Sequence, residues 1–153
     1  MLEQYIDAAV GRKKAETVLK NGRFVNVFTG EICEGDIAVE GGKIVGFGKY
    51  EGETEYDLAG KTAVPGLIDA HVHIESSQLS PEEFARLVLP RGTTTAIADP
   101  HEITNVCGIA GAKYIADASK NTPLEVKVML PSCVPATAFE TSGATLTGAD
   151  TEK

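Results

Sequence analysis

Residues 64–73 read Val64-Pro65-Gly66-Leu67-Ile68-Asp69-Ala70-His71-Val72-His73. The apolar run from Ala63 to Ile68 predicts a buried strand, and it stops at a cluster of acidic and imidazole side chains. Because side chains two apart on a strand point to the same face, we expect Asp69, His71 and His73 to share one face. With a rise of about 3.3 Å per residue, the two imidazoles lie roughly 7 Å apart along the chain, close enough to converge on one divalent metal ion.

A His-x-His pair by itself is common on exposed strands that bind no metal. Here the context favours a metal site. The pair follows an apolar strand directly, acidic residues lie two positions before it and two positions after it (Asp69 and Glu75), and it contains two of the three histidines in the chain. The sequence therefore predicts His71 and His73 as metal ligands.

A helix is predicted directly after this stretch. Ser80-Pro81 followed by Glu83 is typical of a helix N-terminus, with Ser80 as the N-cap, proline at the first helical position and Glu83 as the capping-box partner. Pro90 and Gly92 then end the helix. The chain from Ala63 to Gly92 thus has the pattern of one β/α unit.

Two further strands are predicted downstream. Residues 93–98 and 125–130 are β-branched and apolar runs of strand length. Between them we expect a second helix, capped by Thr104 or Asn105 and running to about Ser119. The resulting β-α-β-α-β order predicts a parallel sheet with right-handed crossovers.

The first 62 residues have a different pattern. Apolar residues at helical spacing predict a short helix within residues 1–14, and short strands follow from Ala15. The Asn21-Gly22 pair predicts a hairpin, because both positions of such a turn need positive φ, and Gly41-Gly42 predicts a second turn. Together these features predict a small antiparallel β unit over residues 15–62.

Composition limits the classes of partner. The 153 residues include 22 acidic and 14 basic side chains, a net charge of −8, and no basic stripe, which argues against a nucleic-acid partner and favours a small-molecule substrate. Three widely spaced cysteines favour a reducing compartment over a disulfide framework. Neither a signal peptide nor an apolar stretch of about 18 residues is apparent, so we expect no membrane partner and a cytoplasmic location.

Two motifs carry a resemblance to a known family. The pattern Pro-Gly-x-Ile-Asp-x-His-x-His over residues 65–73 resembles the end of the first barrel strand in the amidohydrolase superfamily. Residues 93–108, which contain Asp99-Pro100-His101-Glu102, together with residues 71–77 and 130–137, resemble the bacterial adenine deaminases of that superfamily. This second resemblance runs through nearly the whole chain.

The resemblance implies an α/β fold: the first β/α units of a metal-dependent hydrolase TIM barrel, preceded by part of a small β-sandwich. A complete (β/α)8 barrel needs about 250 residues, so we expect the barrel to be incomplete in this chain and the chain to be an N-terminal segment of an enzyme. The expected organisation is an N-terminal helix over 1–14, a partial β-sandwich over 15–62, and the N-terminal part of the barrel over 63–153.

The resemblance also implies a reaction and a site. Such enzymes hydrolyse adenine to hypoxanthine and ammonia with a two-metal centre, usually manganese or iron, with zinc as a further candidate. His71 and His73 match the first two metal ligands, and His101 matches an active-site histidine that assists proton transfer or holds an additional metal. The remaining ligands and the general base have no counterpart here, so we expect this chain to be inactive alone. The full-length enzyme is expected to be a homo-oligomer.

Several alternatives remain open. The enzyme could be another cyclic-amide hydrolase or aminohydrolase of the superfamily, acting on hydantoins or dihydroorotate. It could instead be a non-catalytic scaffold on the same fold, although such relatives tend to lose the metal histidines that are kept here. It could also be a small stand-alone binding module, which the unclosed sheet argues against. For His101, the alternative is a purely structural role capping the second helix.

Overall fold

The computed structural model describes residues 2–150, and the chain divides into two compact units, Met1–Pro65 and Gly66–Lys153. The first unit contains one helix and a five-stranded sheet: α1 Leu2–Ala9, β1 Ala15–Val25, β2 Ile32–Glu40, β3 Lys43–Gly48, β4 Gly52–Asp57 and β5 Thr62–Ala63. The strand order is β3-β2-β1-β4, and β5 also pairs with β1.

The first sheet is mixed, which corrects the prediction of an antiparallel unit. β1 pairs with β2 and β2 pairs with β3 in antiparallel fashion, whereas β4 and β5 both pair with β1 in parallel. Parallel neighbours need a connection that crosses over, so local turn signals could not reveal them. Ala8, Ala15, Val18 and Ala38 form the buried core of this unit.

The predicted Asn21-Gly22 hairpin is wrong. β1 continues through this pair, and the pairing register with β2 shifts between Leu19 and Gly22. Asn21 has a φ of 54°, whereas Gly22 does not have a positive φ, so the pair forms an irregularity within the strand. The second predicted turn is confirmed, because Gly41 and Gly42 both have positive φ and connect the paired strands β2 and β3.

The second unit contains three parallel strands in the order β6-β7-β8, with helices between them, as the β-α-β-α-β pattern predicts. Its elements are β6 Leu67–Val72, α2 Pro81–Val88, β7 Thr93–Ala98, α3 His101–Cys107, α4 Ile109–Ser119 and β8 Glu125–Val128, together with 3₁₀ turns at Ile74–Ser77, Leu89–Arg91 and Gly148–Asp150. Ile74, Phe84, Ala85, Ala96, Ala98 and Leu124 form its core. Within residues 2–150, none of the helices has the length and apolar character needed to cross a bilayer.

The first strand of the second sheet, β6, begins later in the chain than predicted. Ala63 pairs with β1 in the first unit, residues 64–66 lie outside any strand, and β6 begins only at Leu67. Pro65 lacks the N–H that a strand interior requires. The strand is not buried either, because it is at the edge of a three-stranded sheet, and Leu67 and Ile68 are 59% and 66% exposed. As a result His71 lies within the strand and His73 just beyond it.

The helix after β7 also differs from the prediction. Its N-cap is Pro100, not Thr104 or Asn105, so it begins at His101, and a break at Gly108 divides it into α3 and α4. Gly108 has φ 63° and ψ −152°, a conformation available to glycine and outside the helical region. Thr104 and Asn105 therefore lie inside α3.

Helix α2 starts where predicted. Ser80 is its N-cap and accepts a hydrogen bond from the Glu83 backbone N–H, with Pro81 at the first helical position. The predicted capping box pairs the Glu83 side chain with Ser80. In the structure the Glu83 carboxylate instead lies 3.0 Å from Arg86 and forms an ion pair along the helix. Gly92, with a φ of 96°, ends the following 3₁₀ turn and leads into β7.

Candidate metal centre

Two histidines meet at the carboxyl end of β6. His71 is near the end of the strand and His73 follows it, so both side chains leave the backbone on the same side. Their Nε2 atoms are 3.2 Å apart and their ring centroids 5.1 Å apart. The two predicted metal ligands are therefore brought together at a single point.

Asp99 joins them from the neighbouring strand. Val72 of β6 is paired with Ala98 of β7, and the Asp99 N–H donates to the Val72 carbonyl at 2.9 Å, so the ends of the two strands are level. The Asp99 Oδ2 atom lies 3.7 Å from the His71 Nε2 atom. Ligand atoms of His71, His73 and Asp99 all lie within 4.8 Å of one another.

This arrangement fits a divalent metal ion. Two nitrogen ligands of a tetrahedral ion at about 2.0–2.1 Å are roughly 3.3 Å apart, close to the observed separation of the Nε2 atoms. The Asp99 Oδ1 atom is buried and has no hydrogen-bond partner among the described residues. Two imidazoles and a carboxylate form a donor set that suits zinc, iron and manganese alike, so the residues do not select one metal.

Glu102 contacts the second ring nitrogen of His73, Nδ1. Its Oε2 atom is 2.9 Å from the His73 Nδ1 atom, and its Oε1 atom accepts a hydrogen bond of 3.0 Å from the Ser76 hydroxyl. Burial would raise the pKa of Glu102, but hydrogen bonds from its own backbone N–H, Ser76 and His73 together lower that pKa below its usual value. Glu102 is therefore an ionised acceptor at neutral pH.

A second carboxylate connects the same two segments. The Glu75 Oε1 atom accepts a hydrogen bond of 3.2 Å from the Ile103 backbone N–H, in the first turn of α3. Pro100 occupies the N-cap of α3 and provides no side-chain cap. Glu75, from the 3₁₀ turn after His73, therefore supplies the cap that α3 lacks in its own sequence.

His101 lies beside this cluster but outside the group of converging ligand atoms. It is the first residue of α3, and its ring centroid is 6.4 Å from that of His73, with the rings edge to face. Asp69, which the alternation placed on the same face as the two histidines, accepts a hydrogen bond of 3.2 Å from the His71 backbone N–H.

Comparison with known proteins assigns the family. The sequence model of the Amidohydrolase family matches residues 62–152, more than half of the chain. The chain belongs to the amidohydrolase family.

Adenine deaminases are among its most similar relatives. The chain is 59% identical to the adenine deaminase of Clostridium acetobutylicum over 149 residues and 57% identical to that of Geobacillus kaustophilus over 149 residues; each comparison covers 97% of this chain and 26% of the relative. The adenine deaminase of Ligilactobacillus salivarius is 54% identical over 99% of this chain. The chain thus spans about a quarter of the length of the curated relatives it matches.

A solved structure supports the fold. The N-acyl-D-glutamate deacylase of Bordetella bronchiseptica, determined with zinc and a phosphonate inhibitor, superposes with a TM-score of 0.59 at 17% sequence identity. The match covers 92% of this chain and 34% of the deacylase chain. At this identity the likeness concerns the fold of this amidohydrolase chain alone.

The sequence motif that contains Asp99 and Glu102 does not by itself indicate a role for either residue. A signal for Asp99 was available: the first residue beyond β7 should lie level with the first residue beyond β6, which is His73. No comparable signal existed for Glu102. Its contact with His73 depends on α3 beginning directly after Pro100, four or five residues earlier than a cap at Thr104 or Asn105 predicts.

Proposed function

We propose that this chain forms the first part of a divalent-metal-dependent hydrolase that converts adenine and water into hypoxanthine and ammonia. The observation that carries the proposal is the high identity to adenine deaminases from several bacteria over nearly all of this chain. The candidate metal centre supports it, because the three donor side chains converge within the family's matched region.

In this proposal His71 and His73 are metal ligands and Asp99 is a third donor at the same site. A bound divalent ion would supply activation of water for attack at neutral pH. His71, with a side chain 54% exposed, leaves the site open on one side, whereas Asp99 is 18% exposed and closes it on the β7 side. We assign manganese or iron as the metal, with zinc as a further candidate, in a two-metal centre that needs ligands beyond this chain.

We assign His101 to proton transfer. Its ring lies edge to face with that of His73 at a centroid separation of 6.4 Å, so it is near the metal centre without being one of the three converging ligands. General acid–base catalysis requires a group of this kind within reach of the substrate, directly or through a water molecule.

We further propose the organisation that the sequence suggests: a helix within 1–14, a partial β-sandwich over 15–62 and the beginning of a (β/α)8 barrel over 63–153. The division between compact units at Pro65–Gly66 and the three parallel strands of the second unit support it. Three free cysteines fit a cytoplasmic location. The proposed partner is adenine, with no nucleic acid or membrane, and the proposed assembly of the complete protein is a homo-oligomer.

The test is an activity assay on the full translation product of the reading frame that encodes this chain. It would be purified metal-free, loaded in parallel with Mn²⁺, Fe²⁺ or Zn²⁺, and assayed for ammonia release and hypoxanthine formation from adenine. Hydantoin and dihydroorotate serve as competing substrates. Turnover of adenine that depends on the added metal is expected. Turnover of a cyclic amide with adenine left untouched would favour another amidohydrolase activity, and metal binding without any turnover would favour a scaffold.

A further inference from the structure

The contact between Glu102 and His73 carries an inference about how the metal centre is oriented. We propose that Glu102 is a positioning residue, which holds the neutral His73 ring in the tautomer that carries its proton on Nδ1 and so presents the Nε2 lone pair to the metal site. The inference rests on the proposed role of His73 as a metal ligand and adds to it a residue that determines how this ligand is presented.

The chemistry of the two groups fixes the direction of the hydrogen bond. An ionised carboxylate can only accept, so the hydrogen between the Glu102 Oε2 and His73 Nδ1 atoms, 2.9 Å apart, must be on the imidazole. A neutral imidazole has a single N–H, which leaves Nε2 unprotonated. That Nε2 atom is the one lying 3.2 Å from the Nε2 atom of His71. Metal-binding histidines commonly have a carboxylate on the second ring nitrogen in this way.

Glu102 is itself held in place. Ser76 donates to its Oε1 atom at 3.0 Å, so both carboxylate oxygens have a partner and the carboxylate plane is fixed. Ser76 belongs to the 3₁₀ turn directly after His73, while Glu102 belongs to the first turn of α3. The histidine, its carboxylate and the hydroxyl that orients the carboxylate therefore form one connected chain of hydrogen bonds.

A purely structural role makes a different prediction. If the contact only joined the 3₁₀ turn to α3, removing it would lower stability without changing which nitrogen of His73 is protonated. Glu102→Gln keeps an amide oxygen that can still accept from Nδ1–H although the charge is lost, so the tautomer should be retained in this variant under either role. Glu102→Ala removes the acceptor altogether.

The first measurement is the tautomer of His73 by ¹⁵N NMR of the imidazoles in the metal-free 153-residue chain, above the pH range in which histidine titrates. We expect the Nδ1–H form in the wild type, largely the same form in Glu102→Gln, and a shift toward the Nε2–H form in Glu102→Ala. Glu83→Gln, which changes an exposed carboxylate on α2, is the matched control and should have no effect. An unchanged tautomer in Glu102→Ala, with the amide spectrum still that of a folded chain, would overturn the proposal.

The second measurement is the affinity for Zn²⁺ and Mn²⁺ by competition with a chelating dye. Loss of a carboxylate behind a metal-binding histidine typically lowers affinity by about 10–100-fold, and we expect this for Glu102→Ala, with smaller losses for Glu102→Gln and Ser76→Ala. Equal metal affinity in the wild type and in Glu102→Ala would contradict the positioning role of Glu102 but would leave the proposed metal centre standing. If the His73→Ala variant binds metal as tightly as the wild type, the proposed metal centre is refuted. The tautomer measurement would still decide whether Glu102 orients His73.

Discussion

The Glu75 carboxylate accepts a hydrogen bond from the backbone N–H of Ile103, 3.2 Å away and 28 residues later in the chain. The residue at the N-cap of α3 is Pro100, which offers no side-chain acceptor, so the exposed donors of the first turn depend on a residue from another segment. That first turn carries His101 and Glu102. The turn after β6 thus contributes to the site twice, through Ser76 and through the cap that Glu75 provides.

Glu75→Ala should weaken α3. Loss of an N-cap acceptor costs about 0.5–2 kcal/mol, and part of that cost is offset because the Glu75 Oε2 atom is itself buried without a hydrogen-bond partner among the described residues. We expect faster amide hydrogen exchange over residues 101–107 and a net loss of about 1 kcal/mol in the free energy of unfolding. Glu75→Gln keeps an acceptor and should restore most of the protection, and unchanged exchange in Glu75→Ala would contradict the cap.

His71→Ala and His73→Ala should each abolish tight metal binding. Either change leaves one imidazole and Asp99, fewer than the three protein ligands typical of catalytic zinc sites. Affinity should fall by more than about 100-fold, beyond the range seen when only an outer-shell partner is lost. Equilibrium dialysis with elemental analysis measures this, and in the complete protein adenine turnover should fall in parallel. Full metal content in His71→Ala would refute its assignment as a ligand.

An ion pair in the first unit should give this chain a defined pH dependence. Lys20 lies 2.6 Å from Asp36, which also accepts hydrogen bonds from the backbone N–H groups of Asn21 and Tyr50. Burial would raise the pKa of Asp36, but these bonds together lower it below 3.8, and the pKa of Lys20 is raised above 10.5, mainly by its hydrogen bond with Asp36.

The stabilising contribution of Asp36 is therefore fully present above about pH 3.8 and is lost as the pH falls below that value; that of Lys20 is fully present below about pH 10.5 and is lost as the pH rises further. Asp36→Ala should cost about 2–3 kcal/mol in the free energy of unfolding at neutral pH, the scale of hydrogen bonds to charged groups. It should also make stability depend less on pH at both the acid and the alkaline end. Urea unfolding across this range measures the effect. Lys14→Ala, which removes an exposed pair with Glu51, is the control and should cost less than about 1 kcal/mol.

The parts of the fold that sequence predicted correctly depend on local chemistry. Ser80-Pro81 begins α2, Gly41-Gly42 forms a turn, and the β-branched run over 93–98 forms β7, because each signal acts within a few residues. The Asn21-Gly22 pair failed for the opposite reason. The pairing of β4 and β5 along β1, from residues more than 30 positions away, keeps β1 extended through a pair that would otherwise form a turn.

The candidate site shows the same division between features set by local sequence signals and features set by long-range contacts. The alternation after Ile68 was sufficient to place His71 and His73 on one face. The contribution of Asp99 required the register between β6 and β7, and that of Glu102 required the early start of α3. The start of α3 directly after Pro100 is supported by a cap from Glu75 that no local sequence pattern contains.

His101→Asn, made in the complete protein, tests the role of the third histidine. If His101 transfers a proton, kcat should fall by roughly 100-fold or more, the scale of general acid–base contributions. Metal content should be largely retained, because His101 lies outside the group of converging ligand atoms. Pre-steady-state and pH–rate measurements on metal-loaded protein check the first point, and elemental analysis after equilibrium dialysis checks the second. An unchanged kcat would favour the alternative in which His101 serves only the start of the helix.

Gly111→Ala probes how closely α3 and α4 approach each other after the break at Gly108. In an ordinary helix interior the change would stabilise by about 0.5–1 kcal/mol, because glycine loses more backbone freedom on folding. Here an added Cβ would lie 2.6 Å from the carbonyl oxygen of Ile103, a backbone atom that cannot rotate away. Overpacking of this kind costs about 1–3 kcal/mol, so the clash should exceed the propensity gain and give net destabilisation of about 1 kcal/mol.

Because Ile103 is in the first turn of α3 and its N–H is bound by Glu75, the displacement caused by Gly111→Ala should extend to His101 and Glu102. We expect faster hydrogen exchange over residues 101–107, a lower urea midpoint and a partial shift of the His73 tautomer. Gly148→Ala is the matched control, since a Cβ there meets no atom within 4 Å. A more stable Gly111→Ala variant with an unaltered His73 would show that α3 can move away from α4 without disturbing the site, contrary to the close packing that links them.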